Sequence, residues 1–183
     1  MTSLLRFEAV TLRRRGRLLF EDLDLALGAG EALQVIGPNG SGKSSLIRLA
    51  AGLLQPERGR VERSPLTLAD ENIALDRELP LKRALKFWSG SVERTMEALG
   101  IAHLADVPVR LLSSGQGKRA ALARVVASGA PLWLLDEPLN ALDAEGAERL
   151  ARIIEQHRAS GGAVVAASHQ PLPGEWRMLE LAR

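Results

Sequence analysis

Residues 37 to 45 read Gly37-Pro38-Asn39-Gly40-Ser41-Gly42-Lys43-Ser44-Ser45, and the first eight match the pattern GxxxxGK[ST]. Glycines at 37, 40 and 42 let the backbone turn tightly, so that successive N–H groups point into one concavity where phosphate oxygens can sit. Lys43 adds a cation for the β- and γ-phosphates of a nucleotide, and Ser44 offers a hydroxyl ligand to magnesium. A second chemistry-bearing pair, Asp136-Glu137, follows the apolar run Leu132-Trp133-Leu134-Leu135. Carboxylates at the end of a buried segment are costly unless a cation or a water needs them. Asp136 is placed to hold magnesium through water, whereas Glu137, one residue on, points elsewhere and can polarise an attacking water as general base. Alone, an Asp-Glu pair ending a strand is as often a solvated turn as a site. The phosphate loop in the same chain decides for the site, and the two together point to hydrolysis of a nucleoside triphosphate.

These residues need elements that bring them together. Three short runs, Leu33-Gln34-Val35-Ile36, Leu132 to Leu135 and Ala163-Val164-Val165-Ala166-Ala167, are too short for helices and apolar on both faces, as buried parallel strands are. The loop follows the first run and Asp136 the second. Helical spacing lies between them, over Ser44 to Leu54, Leu79 to Trp88, Val92 to Leu99, Gly115 to Ala127 and Asp143 to Arg158. Upstream, Leu5, Phe7, Ala9 and then Leu23, Leu25, Leu27 alternate, which predicts an antiparallel β element from Leu4 to Leu27 closed by the Gly28-Ala29-Gly30 turn. Strands alternating with helices predict an α/β fold with a mainly parallel sheet and its ligand site at the carboxyl ends of the strands. The stretch from Leu79 to Ala105 has no buried-strand run and reads as a helical lobe, extending to about residue 127, inserted into one domain spanning 1–183.

Composition removes other classes. With 46% hydrophobic and 25% charged residues among 183, the chain resembles a globular domain and not a disordered or collagen-like one. No run approaches the ~20 apolar residues of a membrane span, so a membrane role requires a partner. The absence of cysteine excludes disulfides, zinc-thiolate sites and thiol catalysis. The start, Met1 to Phe7, reads as neither signal peptide nor presequence. A net charge of +2 is too small to imply nucleic acid, although Arg13, Arg14, Arg15 and Arg17 form a basic cluster.

Further motifs carry a resemblance. Leu112-Ser113-Ser114-Gly115-Gln116 resembles the LSGGQ signature of the nucleotide-binding subunits of ATP-binding cassette transporters. Asn140-Ala141-Leu142-Asp143 resembles that family's D-loop, and His169 its switch histidine, in the family's order. The resemblance implies an α/β P-loop hydrolase fold of cassette type, ATP with Mg2+, and a homodimer in which two ATPs are sandwiched head-to-tail. Ser113, Ser114, Gly115 and Gln116 would then cap the ATP of the opposite subunit, consistent with a helix N-terminus as an anion site. A plain helix cap would use Ser113 or Ser114 but is expected to leave Gln116 unexplained. His169, beside the γ-phosphate, would donate to it and report its loss. The run Asp76-Arg77-Glu78-Leu79-Pro80-Leu81, LWLLDEPLNAL from Leu132 to Leu142, and Ser168-His169-Gln170-Pro171-Leu172 are most similar to the heme exporter ATPases of bacterial cytochrome c maturation. That implies a subunit docked on integral-membrane permease partners at the cytoplasmic face of the inner membrane.

Three departures from the family pattern matter. Ser114 stands where a glycine is usual. After Leu66-Thr67-Leu68-Ala69, where the family carries a glutamine that reaches the metal, this chain has Asp70-Glu71-Asn72; Glu71 is the nearest counterpart and Asn72 the alternative. The aromatic that stacks on adenine is missing, and only Arg13 to Arg17 lies there: either a guanidinium stacks on the base or the cluster is a solvated turn. Two other functions remain to be separated. A soluble cassette ATPase serving DNA, ribosomes or iron–sulfur assembly would not copurify with a polytopic membrane protein, and a regulatory ATP-binding module would release no phosphate.

Overall fold

The structure is a computed structural model that describes residues 3–88 and 91–181. The alternating N-terminal segment forms strands β1 (Ser3–Arg14) and β2 (Arg17–Gly28), an antiparallel hairpin whose tip is Arg15-Gly16. Strand β4 (Arg58–Arg63) pairs along the other side of β1, giving a three-stranded sheet in the order β2-β1-β4. The sequence RGRVER shows no apolar face because this strand lies at an edge with nearly all its side chains exposed.

The second sheet contains β3 (Ala32–Ile36), β5 (Leu66–Ala69), β6 (Leu132–Asp136), β7 (Ala163–Ala167) and β8 (Arg177–Glu180), in the order β5-β6-β7-β3-β8 with every pairing parallel. The α/β fold with a mainly parallel sheet and an N-terminal antiparallel element is therefore as the sequence predicts. Period-two alternation sends Leu132 and Leu134 of β6 into one apolar cluster and Trp133 and Leu135 into the other. The first cluster lies against β1, β2 and helix α1 (Lys43–Ala50), through Phe7, Leu27, Leu46 and Ile47. The second lies beneath α4 (Ser114–Ala127) and α5 (Ala144–Ala159), through Leu122, Val125, Ile153 and Ile154. Removing a fully buried side chain here, as in Leu134→Ala, would cost about 2–5 kcal/mol.

Helix α1 ends at Ala50 although its apolar spacing runs to Leu54, because Leu53 N–H folds back to Arg48 O at 2.8 Å. Two short helices, α2 (Leu81–Lys86) and α3 (Val92–Ala98), precede α4, joined by single 3-10 turns at Ala102–Leu104 and Val109–Leu111. Leu81, Leu85 and Met96 pack against the α4 side of the sheet.

Candidate functional site

The carboxyl ends of four neighbouring parallel strands carry the candidate residues. β5 leads to Asp70-Glu71, β6 to Asp136-Glu137, β7 to Ser168-His169 and β3 to the phosphate loop. Gly37 begins that loop with φ 144°, and a Cβ there would lie 2.5 Å from Leu181 O and 2.7 Å from Ser41 Oγ, so only glycine fits. Leu181 is held in place by its N–H bond to Ile36 O, 2.9 Å. Lys43, only 7% exposed, donates to Gly37 O at 2.8 Å and Pro38 O at 3.2 Å. Pro38, Asn39 and Gly40 are exposed at the mouth, while buried Ser41 Oγ has no partner among the described residues. That orphaned hydroxyl is what a loop shaped for an incoming oxygen-rich ligand provides.

Ser44 Oγ donates to Asp136 Oδ1 at 3.1 Å. Burial pushes the Asp136 carboxyl above the usual range, and the Ser44 hydrogen bond opposes that rise. A partly desolvated carboxylate beside a hydroxyl fits a divalent cation. No group of three or more His, Cys, Asp and Glu with metal-holding geometry occurs among the described residues. A magnesium ion at Ser44 and Asp136 would therefore take most of its shell from water and phosphate oxygens, its ordinary habit in nucleotide sites. Glu71 lines the same cavity as Ser44 and Asp136. Asn72 is instead tied into a turn, its N–H 2.8 Å from Asp70 Oδ1 and its amide 3.3 Å from Asp70 Oδ2.

Glu137 adopts φ 47°, uncommon for a residue with a side chain, and its N–H is anchored on Ala167 O at 2.8 Å. This backbone turns its carboxylate to His169, with Nδ1 2.8 Å from Glu137 Oε2. The other ring nitrogen faces Gln170 Nε2 at 3.3 Å, so Nδ1 donates to Glu137 while Nε2 accepts. Sequence reasoning aimed His169 at phosphate and missed this pairing. Donation from Nε2 to a phosphate requires that Gln170 let go and that the nitrogen carry a proton. Sequence reasoning also missed Gln34, a buried residue in β3. Its amide donates to Gln170 O at 2.7 Å and its carbonyl accepts from Leu172 N at 3.2 Å, which seats the segment presenting His169. The available signal was a polar residue inside an otherwise apolar strand.

The segment from Ser113 to Gln116 opens α4 through a capping box. Ser113 Oγ accepts from Gln116 N at 3.3 Å, and Gln116 Oε1 accepts from Ser113 N at 2.9 Å. The cap thus accounts for Gln116 as well as Ser113, correcting the expectation that it would leave Gln116 unexplained. Gly115 has a packing reason too, since a Cβ there would lie 2.8 Å from Ala141 O. Arg119 of α4 pairs with Asp143, the N-cap of α5, whose carboxyl is held low first by the Gly146 N–H and then by Arg119. Arg124 of α4 donates to Leu68 O in β5. Lys118 Nζ reaches Asp136 O at 3.3 Å; burial pulls its ammonium down, and the charges of Asp136, Glu137 and Asp70 push back. One helix therefore touches the ends of β5 and β6 and the start of α5, and Ser113, Ser114, Glu71, Asp136 and Asn140 line a common cavity.

A glycine-containing loop between a parallel strand and a helix, with an acidic strand end beside it, defines a P-loop nucleoside triphosphate hydrolase. The profile of the ABC transporter family matches residues 20–140, and the chain belongs to that family as an ATP-hydrolysing subunit. Its relatives include the cytochrome c biogenesis ATP-binding export protein CcmA of Sphingopyxis alaskensis, 56% identical and covering 92% of this chain and 91% of that protein. The protein of the same name from Pseudomonas syringae is 38% identical, over 100% of this chain and 97% of the relative. Among solved structures, the ATP-binding subunit of an ABC transporter superposes with a TM-score of 0.83 at 22% identity, covering 91% of this chain and 80% of that one. A dimeric ATP-binding cassette bound to ADP and Pi gives 0.75 at 24% identity, with 91% and 88% covered. Such distant likenesses carry the fold.

Proposed function

We propose that the chain hydrolyses ATP, with Mg2+, to drive an integral-membrane permease in cytochrome c biogenesis, with heme as the cargo. The names of the relatives support the process, and the resemblance in Asp76 to Leu81 and Ser168 to Leu172 supports the cargo. None of the relatives named above suggests a soluble cassette acting on DNA, ribosomes or iron–sulfur assembly. No helix among the described residues is long and apolar enough to cross a membrane, which suits a subunit docked at the cytoplasmic face of the inner membrane. Residues 79–127 are read as a helical lobe within one unit spanning 1–183, with Glu71 at the joint between that lobe and the nucleotide.

The observation that carries hydrolysis is the Glu137–His169 contact beside the phosphate loop. In this reading the loop from Gly37 to Ser45 cradles the triphosphate, Lys43 neutralises charge on it, and Ser44, Asp136 and Glu71 hold the metal. Glu137 accepts the proton of the attacking water, and His169 fixes the carboxylate that must do so. Ser113 to Gln116 of one copy cap the ATP of the other, an isologous arrangement that closes as a twofold dimer.

The substitution Glu137→Gln tests the base and the sandwich together. It keeps size and hydrogen bonding but removes proton-accepting power, so turnover should fall about 10²–10⁴-fold. ATP should still bind, and size-exclusion chromatography with MgATP should show a dimer that disperses without nucleotide. Full turnover would reject Glu137 as the base; lost turnover with no ATP-dependent dimer would count against the sandwich.

A further inference from the structure

Glu137 lines the cavity in front of the phosphate loop, with Asn39, Gly40 and Lys43, and also the neighbouring cavity that Glu71, Ser113 and Asp136 line. A triphosphate on the loop therefore ends beside the Glu137–His169 pair, whose side chains are 28% and 49% exposed. The His169 ring is divided between two partners. Nδ1 lies 2.8 Å from Glu137 Oε2, and a carboxylate only accepts, so this nitrogen carries the proton. Nε2 lies 3.3 Å from Gln170 Nε2, an amide nitrogen that only donates, so this one presents its lone pair.

The fold does not depend on that amide. Gln170 is seated through its backbone, its N–H donating to Ser168 Oγ at 3.1 Å and its carbonyl accepting from Gln34 Nε2 at 2.7 Å. Its side chain is exposed, and the contact with His169 is the one hydrogen bond that side chain makes among the described residues. A phosphate oxygen asks the opposite of the ring, because it accepts and a nitrogen facing it must carry a proton. Gln170 and a phosphate thus compete for one atom in two protonation states, and whatever favours the first state weakens the second.

We propose that Gln170 is a positioning residue that holds His169 as the neutral Nδ1–H tautomer, a lock on the ring that a γ-phosphate must break. Once it is broken, Nε2 is free to take a proton from solvent while Nδ1 stays on Glu137. The inference rests on the hydrolase reading and specifies how its histidine is kept from phosphate. The test is to measure, by calorimetry on the full chain, the affinities of MgADP and of the Mg2+ complex of β,γ-imido-ATP for the wild type, Gln170→Ala, His169→Ala and the double variant. Gln170→Ala should bind the imido analogue about fivefold more tightly, the worth of one hydrogen bond, while MgADP, which has no γ-phosphate, shifts by less than about twofold. In the His169→Ala background the second substitution should change neither affinity. Long-range proton–nitrogen NMR spectra at about pH 8, where an ordinary imidazole is neutral, should show His169 of the wild type protonated at Nδ1 alone. Its signals are the ones among three histidines that His169→Ala removes.

Equal tightening of MgADP would show that the amide acts on the loop as a whole and would overturn the proposal. So would a gain that persists without His169, or a wild-type ring protonated at Nε2. Nucleotides that bind the wild type and Gln170→Ala alike defeat this inference alone. A wild type that binds neither nucleotide defeats the hydrolase reading and this inference with it.

Discussion

Lys43 lies in a nearly closed place, its ammonium group bonded to the carbonyls of Gly37 and Pro38. A triphosphate offers those same protons charged acceptors, and hydrogen bonds of that kind are each worth about 1.5–3 kcal/mol. Lys43→Ala should therefore weaken ATP at least about tenfold, with the far-ultraviolet circular dichroism spectrum preserved; unchanged affinity in a folded variant would reject the assignment. Gln34 makes a different case. Gln34→Leu keeps the volume but strands Gln170 O and Leu172 N, each costing about 1–3 kcal/mol when left unpaired. ATP should still bind, since no loop atom is touched, while turnover drops as His169 loses its seat. Equal turnover would show that this seat is irrelevant. The loop and Asp136-Glu137 were legible because their chemistry is local in sequence. Gln34 was not, since its partners lie at 170 and 172 and only the folded chain brings them alongside.

Helix α4 links what the sequence shows as separate motifs. Its Arg119 reaches Asp143, and its first turn admits no Cβ at position 115 beneath Ala141 O. Asp143 both caps α5 and pairs with Arg119, so two substitutions separate these roles. Asn caps as well as Asp but carries no charge, whereas Ala does neither. Thermal unfolding should rank wild type above Asp143→Asn and Asp143→Ala lowest. Two variants equally destabilised relative to the wild type would show that the ion pair, which both lose, and not the cap, matters most. The buried strands β3, β6 and β7 were legible from their unbroken apolar runs. Strands β4 and β8 were not, because edge strands rich in Arg and Glu carry no such run. The capping box shows the opposite difficulty: motif reading grants Ser113 to a cap but leaves Gln116 to the ligand, whereas in the fold Gln116 serves the helix too.

Outside the site, one pH-sensitive group is His157, whose ring stacks on Trp133 with centroids 3.7 Å apart. Burial there pulls the imidazole below its ordinary value of 6.5, with hydrogen bonds to Pro131 and Ala163 opposing. Above 6.5 the ring is neutral folded or unfolded; below it the unfolded chain takes up a proton that the folded chain resists. Stability should therefore fall as pH drops below that value, and His157→Phe, which retains a stacking ring, should flatten the fall in urea titrations. An unchanged pH profile in that variant would place the sensitivity elsewhere. The sheet order has a separate consequence for synthesis. The phosphate loop begins at Gly37, yet its first residue is backed by Leu181 and its strand is flanked by β8, about 140 residues later in translation, or about 7–28 s at ordinary elongation rates. While that interval lasts, a nascent chain carries the complete loop motif without the wall against which it closes. Ribosome-bound chains arrested before residue 177 should capture no ATP analogue, so that no half-made cassette competes for nucleotide.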